Sequence, residues 1–158
     1  MRTRTGAAAG ALMLMGAAAQ AGMDKVILQV TGEITGSAVE LDRQTLDALP
    51  QVTLETSTVV TDGTHSFTGF LVRDLLERLD AKGELVIATA LNDYVVEIPM
   101  ADFYDFEVIV AYGMDGEPLP RNDKGPLWIV YPRDDYEVLQ DIRYDYRWVW
   151  QLSHLEVQ

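Results

Sequence analysis

The chain is 158 residues long, contains no cysteine, and sets 25 Asp+Glu against 12 Lys+Arg, a formal net charge of −13. So acidic a surface repels phosphate backbones and anionic lipid, which excludes nucleic acid and a membrane surface as partners. The missing thiol excludes disulfides, thiolate nucleophiles and thiolate metal ligands.

Residues 1–21 read as a signal peptide. Arg2 and Arg4 make a basic start, residues 7–19 an apolar run of Ala, Gly, Leu and Met, and Ala19-Gln20-Ala21 a small-x-small cleavage pattern. The run is shorter than the ~20 apolar residues that a bilayer span takes. Cleavage after Ala21, export to the periplasm and no stable membrane insertion are therefore expected. Residues 22–158 then form a single domain, long enough for a core of its own. With ten Lys+Arg against 25 Asp+Glu, its net charge is near −15. Its stability has to come from packing.

Along that domain, residues 25–30 read as a strand, Thr31-Gly32-Glu33 as its turn and 38–41 as a second strand. Asp42 caps a short helix that Pro50 ends. Residues 51–60 alternate and are rich in Val and Thr, which predicts a strand, and 61–64 form a turn. Leu71, Val72, Leu75, Leu76 and Leu79 recur at helical spacing, with Arg73, Asp74, Glu77 and Arg78 opposite. They predict the clearest helix of the chain, with Gly83 as its stop. Residues 85–90 and 94–98 read as strands joined by a turn at Asn92-Asp93, and Pro99 opens a short helix. Residues 108–112 form a strand that leads into Asp115-Gly116, the strongest short-range hairpin signal.

A Pro-containing polar loop with Arg121 and Lys124 follows. Gly125-Pro126 then turns the chain into an apolar strand at 127–131, which Pro132 stops. After an acidic connection, Tyr144, Tyr146, Trp148, Trp150 and Leu152 fall at every second position, away from Arg143, Asp145, Arg147 and Gln151. That spacing predicts one aromatic face of a strand. Leu155 and Val157 close the chain in a last strand. The fold class expected is α+β, a single domain of mixed β-sheets with a few short helices.

Candidate chemistry is sparse. His65 and His154 lie far apart without His-x-x-x-His spacing and read as structural rather than as zinc ligands. Ser66 lacks the Gly-x-Ser-x-Gly elbow of a hydrolase. Asp134, Asp135, Glu137 and Asp141 lack the glycine and spacing of a calcium loop, so no metal is expected. Trp128, Tyr131, Tyr144, Tyr146, Trp148 and Trp150 come from two strands and have two readings: core packing, or the lining of an aromatic pocket. Asn92 and Tyr94 lie on a turn that can add hydrogen bonds, although a β-turn alone accounts for Asn92-Asp93.

Six landmarks follow one another in a distinctive order. They are Val30-Thr31-Gly32, the stretch from Leu46 to Pro50, the stretch from Phe67 to Leu76, Leu91-Asn92-Asp93-Tyr94 with Ile98-Pro99, the stretch from Lys124 to Pro132, and Leu155-Glu156-Val157. This order resembles the molybdopterin-binding oxidoreductase domain of sulfite oxidases and periplasmic methionine-sulfoxide reductases, over nearly all of residues 25–157. The resemblance implies that fold. It also implies a cysteine thiolate on molybdenum in the strand before the long helix, and counting back from Gly69 puts that position near Ser57, within Thr56-Ser57-Thr58. The arginine that the family places after Gly-x-Pro-Leu is Trp128 here, and its Lys-Trp pair near the last strand reads Trp150-Gln151. By the resemblance, the candidate pocket for the cofactor or another small organic anion draws on Asn92, Tyr94, Arg121, Lys124, Trp128, Tyr131, Arg133, Arg147 and Trp148.

The leading expectation is an exported, divergent member without molybdopterin or molybdenum redox chemistry. It would bind a small organic anion or a periplasmic or membrane protein partner. One alternative is a small periplasmic molybdopterin-dependent oxidoreductase with Ser57 near the metal. Another is an accessory subunit that docks through the aromatic strand onto a larger redox or sensor protein.

Overall fold

The computed structural model describes residues 25–158, so the expected signal peptide lies outside the described residues. Strand β1 (Leu28–Gly32) buries Leu28 and Val30 and runs antiparallel to β2 (Ala38–Leu41). Asp42 accepts a hydrogen bond from Thr45 N (2.7 Å) and starts α1 (Arg43–Asp47), the capping that its sequence position predicts. β3 (Gln51–Ser57) and β4 (Thr64–Leu71) pair antiparallel. β3 ends earlier than its composition predicts because the Thr58 hydroxyl accepts from Val60 N (3.1 Å), a local turn that competes with the ladder.

Helix α2 (Val72–Arg78) follows β4 directly and buries Val72, Leu75 and Leu76. Gly83 is not its stop. Asp80 takes the left-handed conformation just past the end (φ +50°), and Gly83 is small for another reason: a Cβ there would lie 2.5 Å from the Gln158 carbonyl oxygen. β5 (Leu85–Ala90) and β6 (Val95–Pro99) form a second antiparallel pair, and α3 (Met100–Asp105) leads into β7 (Ile109–Met114). The turn to β8 (Glu117–Pro118) holds Asp115 and Gly116 at φ +52° and +83°, as a two-residue hairpin of this twist requires. β9 (Trp128–Val130) pairs with β7, and a 3-10 turn at Glu137–Gln140 and α4 (Ile142–Asp145) precede β10 (Leu152–Val157).

Two sheets result. One has the order β2-β1-β10-β5-β6, with the last strand at its centre, parallel to β1 and antiparallel to β5. The other runs β3-β4-β7-β8, with β9 also on β7. Buried side chains of both belong to one hydrophobic core. The architecture is the α+β, mixed-sheet domain expected from the sequence.

Residues 144–150 do not form the aromatic strand that their alternation predicts. Asp141 caps α4 by accepting from Arg143 N (2.9 Å), and turn bonds from Tyr144 N to the Asp141 carbonyl (3.0 Å) and from Arg147 N to the Tyr144 carbonyl (3.0 Å) coil the chain. Local capping at Asp141 prevails over a period-two pattern. The aromatics accordingly differ in environment: Trp148 is 5% exposed, Trp150 37% and Tyr146 49%. The segment then crosses between the sheets. Ile129 N donates to the Val149 carbonyl (2.9 Å), Leu152 N to the Leu127 carbonyl (2.8 Å) and Leu91 N to the Gln151 carbonyl (2.8 Å).

A buried carboxylate anchors this crossing. Asp102 of α3, 6% exposed, receives the Tyr131 hydroxyl (2.7 Å) and Arg147 Nη1 (2.5 Å) on the same Oδ2. The 58–63 loop is tied down separately. His65 donates from Nδ1 to Asp115 Oδ2 (2.6 Å) and from Nε2 to the Asp62 carbonyl (2.9 Å). Both ring nitrogens face acceptors, and only the doubly protonated imidazolium satisfies both.

Removing one partner from a buried charge pair leaves the other uncompensated. Asp102→Ala should lower the unfolding free energy by about 3 kcal/mol in denaturant melts, the lower part of the usual range because the Arg147 side chain keeps 15% exposure. Tyr131→Phe, which leaves the ion pair intact, should cost only about 1 kcal/mol.

Hydrogen bonding to Asp115 raises the His65 pKa above its ordinary 6.5, and the same contact lowers Asp115 below its ordinary 3.8. The histidine's contribution to stability is full below 6.5 and is lost as pH rises through the raised folded value. The aspartate's is present above 3.8 and is lost as pH falls through the lowered one. The tie therefore operates between the two folded-state values. An NMR titration should place the His65 midpoint above 6.5, and Asp115→Asn should bring it down.

Candidate functional site

A cavity of about 310 Å³ opens where the crossing segment meets two loops. The loop after β3 supplies Val59 and Val60, and the β5–β6 turn supplies Asn92 and Tyr94. Asp145, Tyr146, Trp148 and Trp150 come from the end of α4 and the crossing segment. The turn is set by the Asn92 side chain, which accepts from Tyr94 N (3.2 Å), with Asp93 at φ +65°. The Tyr94 hydroxyl donates to the Tyr146 carbonyl (2.9 Å), so the turn and the crossing segment are held together at the cavity wall.

Of the nine pocket residues expected from the sequence, Asn92, Tyr94 and Trp148 line this cavity. Trp128 and Tyr131 do not, because both are fully buried in the core. Trp128 meets Phe67 edge-on (centroids 5.3 Å apart) and Trp148 at 6.1 Å, a packing arrangement worth about 0.5–1.5 kcal/mol per pair beyond burial. Burial holds the Tyr131 hydroxyl far above its ordinary pKa, reinforced by the Asp102 charge, so it remains a neutral donor.

None of Arg121, Lys124, Arg133 and Arg147 lines this cavity, although Arg147 lines an adjoining depression with Tyr94 and Tyr146. Lys124 pairs with Asp123 (3.0 Å), its ammonium 5.9 Å from the rings of both Trp128 and Trp150. Arg121 contributes its carbonyl, which accepts from Gln151 Nε2 (2.9 Å). Arg133 has its Nε buried without a hydrogen-bond partner among the described residues. Burial opposes the charge on Arg147, but interactions with Tyr146 and Asp102 outweigh it and hold the guanidinium charged.

The charge that does line the cavity is negative. Asp145 Oδ1 is buried with no hydrogen-bond partner among the described residues, and Trp148 Nε1 shares that condition. Reading residues 144–150 as a strand puts Asp145 on the face opposite the aromatics; the helical turn of α4 brings it beside them. Val59 and Val60 escaped notice because the pattern places them inside a strand.

Ser57, the residue at the position of the expected metal ligand, is clamped. Its backbone N–H donates to Asp134 Oδ2 (2.7 Å) and its hydroxyl to Asp134 Oδ1 (2.5 Å). Asp134 N in turn donates to the hydroxyl of Thr56 (3.2 Å), which is fully buried. Two residues beyond Ser57 the chain reaches the cavity at Val59.

A family model for the oxidoreductase molybdopterin-binding domain matches residues 16–134, about three quarters of the sequence. No curated protein matches the chain. Among solved structures, the crystal structure of the sulfane dehydrogenase SoxCD from Paracoccus pantotrophus is similar, with a TM-score of 0.65 at 16% identity. The likeness covers 85% of this chain and 38% of that one, so the chain spans well under half of that relative's length. At this identity the likeness establishes the fold alone. From the extent of the family match and the shared fold, the chain belongs to the oxidoreductase molybdopterin-binding domain family.

Proposed function

We propose that the protein is an exported member of this family that has given up molybdenum redox chemistry and binds a small ligand in its aromatic cavity, in the service of a periplasmic or membrane partner. The observation that carries the reading is the state of residue 57. Where the resemblance implies a soft thiolate, the chain offers a serine whose hydroxyl and backbone N–H are both engaged by the Asp134 carboxylate. A hydroxyl is a harder donor than a thiolate, and a carboxylate beside it adds negative charge where an anionic cofactor would approach.

The residues present do not fit molybdopterin in other respects as well. A pterin phosphate needs cations and N–H donors to offset its desolvation. The cavity is lined by Asp145 and by no basic residue, and Trp128 fills the core where the resemblance implies an arginine. No catalytic step is derived through that cofactor. The reading as an accessory subunit rested on an exposed aromatic strand, and residues 144–150 do not form one. Export is supported by the basic, apolar and small-x-small stretches of residues 1–21.

Isolated from a host that makes molybdopterin, the protein should carry neither molybdenum nor pterin fluorescence; stoichiometric amounts of both would overturn the reading. Mass spectrometry of protein recovered from the periplasmic fraction should give a chain that begins at Gly22. Recovery of the intact chain from the cytosol alone would remove export.

A further inference from the structure

We infer that the cavity takes a small quaternary or methylated ammonium cation, an inference that rests on the ligand-binding reading above and names its ligand class. Tyr94, Tyr146, Trp148 and Trp150 bring four aromatic rings to one cavity. Ring faces carry the negative end of a quadrupole and attract cations within about 6 Å, most of all cations too bulky to be tightly hydrated. The chain already uses these rings in this way: the Arg147 guanidinium lies 5.7 Å from the Tyr146 ring centre and the Lys124 ammonium 5.9 Å from that of Trp150.

Asp145 adds a formal negative charge to the lining, and its buried Oδ1 has no partner among the described residues. A buried carboxylate oxygen without a partner is costly. An alkylated ammonium offsets that cost by charge alone and presents its methyl groups to Val59 and Val60. An anion would meet Asp145, while the nearest cations, Lys124 and Arg147, are already paired with Asp123 and Asp102, and a neutral ligand would leave the carboxylate as it is. A hard metal ion takes six or more oxygens, and the cavity offers a single carboxylate. The volume of about 310 Å³ lies at the small end of ligand sites, which run from about 300 Å³ upward, and suits a compact headgroup. The chain's net charge of −13 draws cations from a distance. This reverses the anion expected from the sequence, because the basic residues that suggested it lie outside the lining.

The test is calorimetric titration of the mature protein at constant ionic strength with choline chloride and tetramethylammonium chloride. The same titration with 3,3-dimethyl-1-butanol, the uncharged carbon counterpart of choline, isolates the charge. Choline should bind about tenfold more tightly than the neutral counterpart, the scale of a desolvated cation–aromatic contact. Asp145→Asn should weaken choline and leave the neutral compound unchanged, while Trp150→Ala, at a half-exposed position, should weaken both. Equal affinity for the two compounds, or no response to choline in the millimolar range, would overturn the inference. Equal affinity would leave the ligand-binding reading standing; bound molybdenum and pterin would overturn that reading independently.

Discussion

A carboxylate at 6% exposure is tolerable only when its charge is met, and in this domain Asp102 meets it with a phenol and a guanidinium on one oxygen. The three residues lie 29 and 45 positions apart along the chain, so the contact requires α3, the end of β9 and the crossing segment to be in place together. Residues 148–151 of that segment form no strand, and their backbone is held by isolated hydrogen bonds, from Val149 to β9 and from Gln151 to Lys124 and Leu91. The ion pair fixes the point at which the segment leaves α4, and with it the placement of Trp148 and Trp150. The cavity follows from that anchor.

The family fold here carries a cavity whose lining is largely aromatic. The two sheets build a fold of the molybdopterin-binding domain type, and local pairing sets which charges stay free around the cavity. Two of the basic residues expected at the pocket are occupied, Lys124 by Asp123 and Arg147 by Asp102. Ser57 faces Asp134, and the cavity lining is aromatic and acidic. A fold is kept by its core, whose packing tolerates little change, whereas loop residues around a cavity can change without disturbing that core.

Much of the architecture could be read locally. Asp42 as a cap, Asp115-Gly116 as a hairpin turn, the apolar stripe of α2 and the alternation of β3 each depend on residues within a few positions of one another. The failures were of a different kind. The aromatic alternation from Tyr144 to Trp150 was a genuine period-two pattern, but the Asp141 cap and the bonds of Tyr144 and Arg147 turned it into a coil. Gly83 looked like a helix stop and is instead a close-approach position beside the C-terminal Gln158 carbonyl.

By itself the sequence determined the class of the domain, its element order as far as β7 and the absence of thiolate chemistry, because caps, turns, periodicity and composition act over short distances. Only the tertiary structure decided which charges reach the cavity. Arg147 and Asp145 are two residues apart, yet one is drawn inward to Asp102 and the other lines the site, its buried Oδ1 without a partner among the described residues. That choice is made by a partner 45 residues away, and long-range pairing of buried charge leaves no local trace in a sequence.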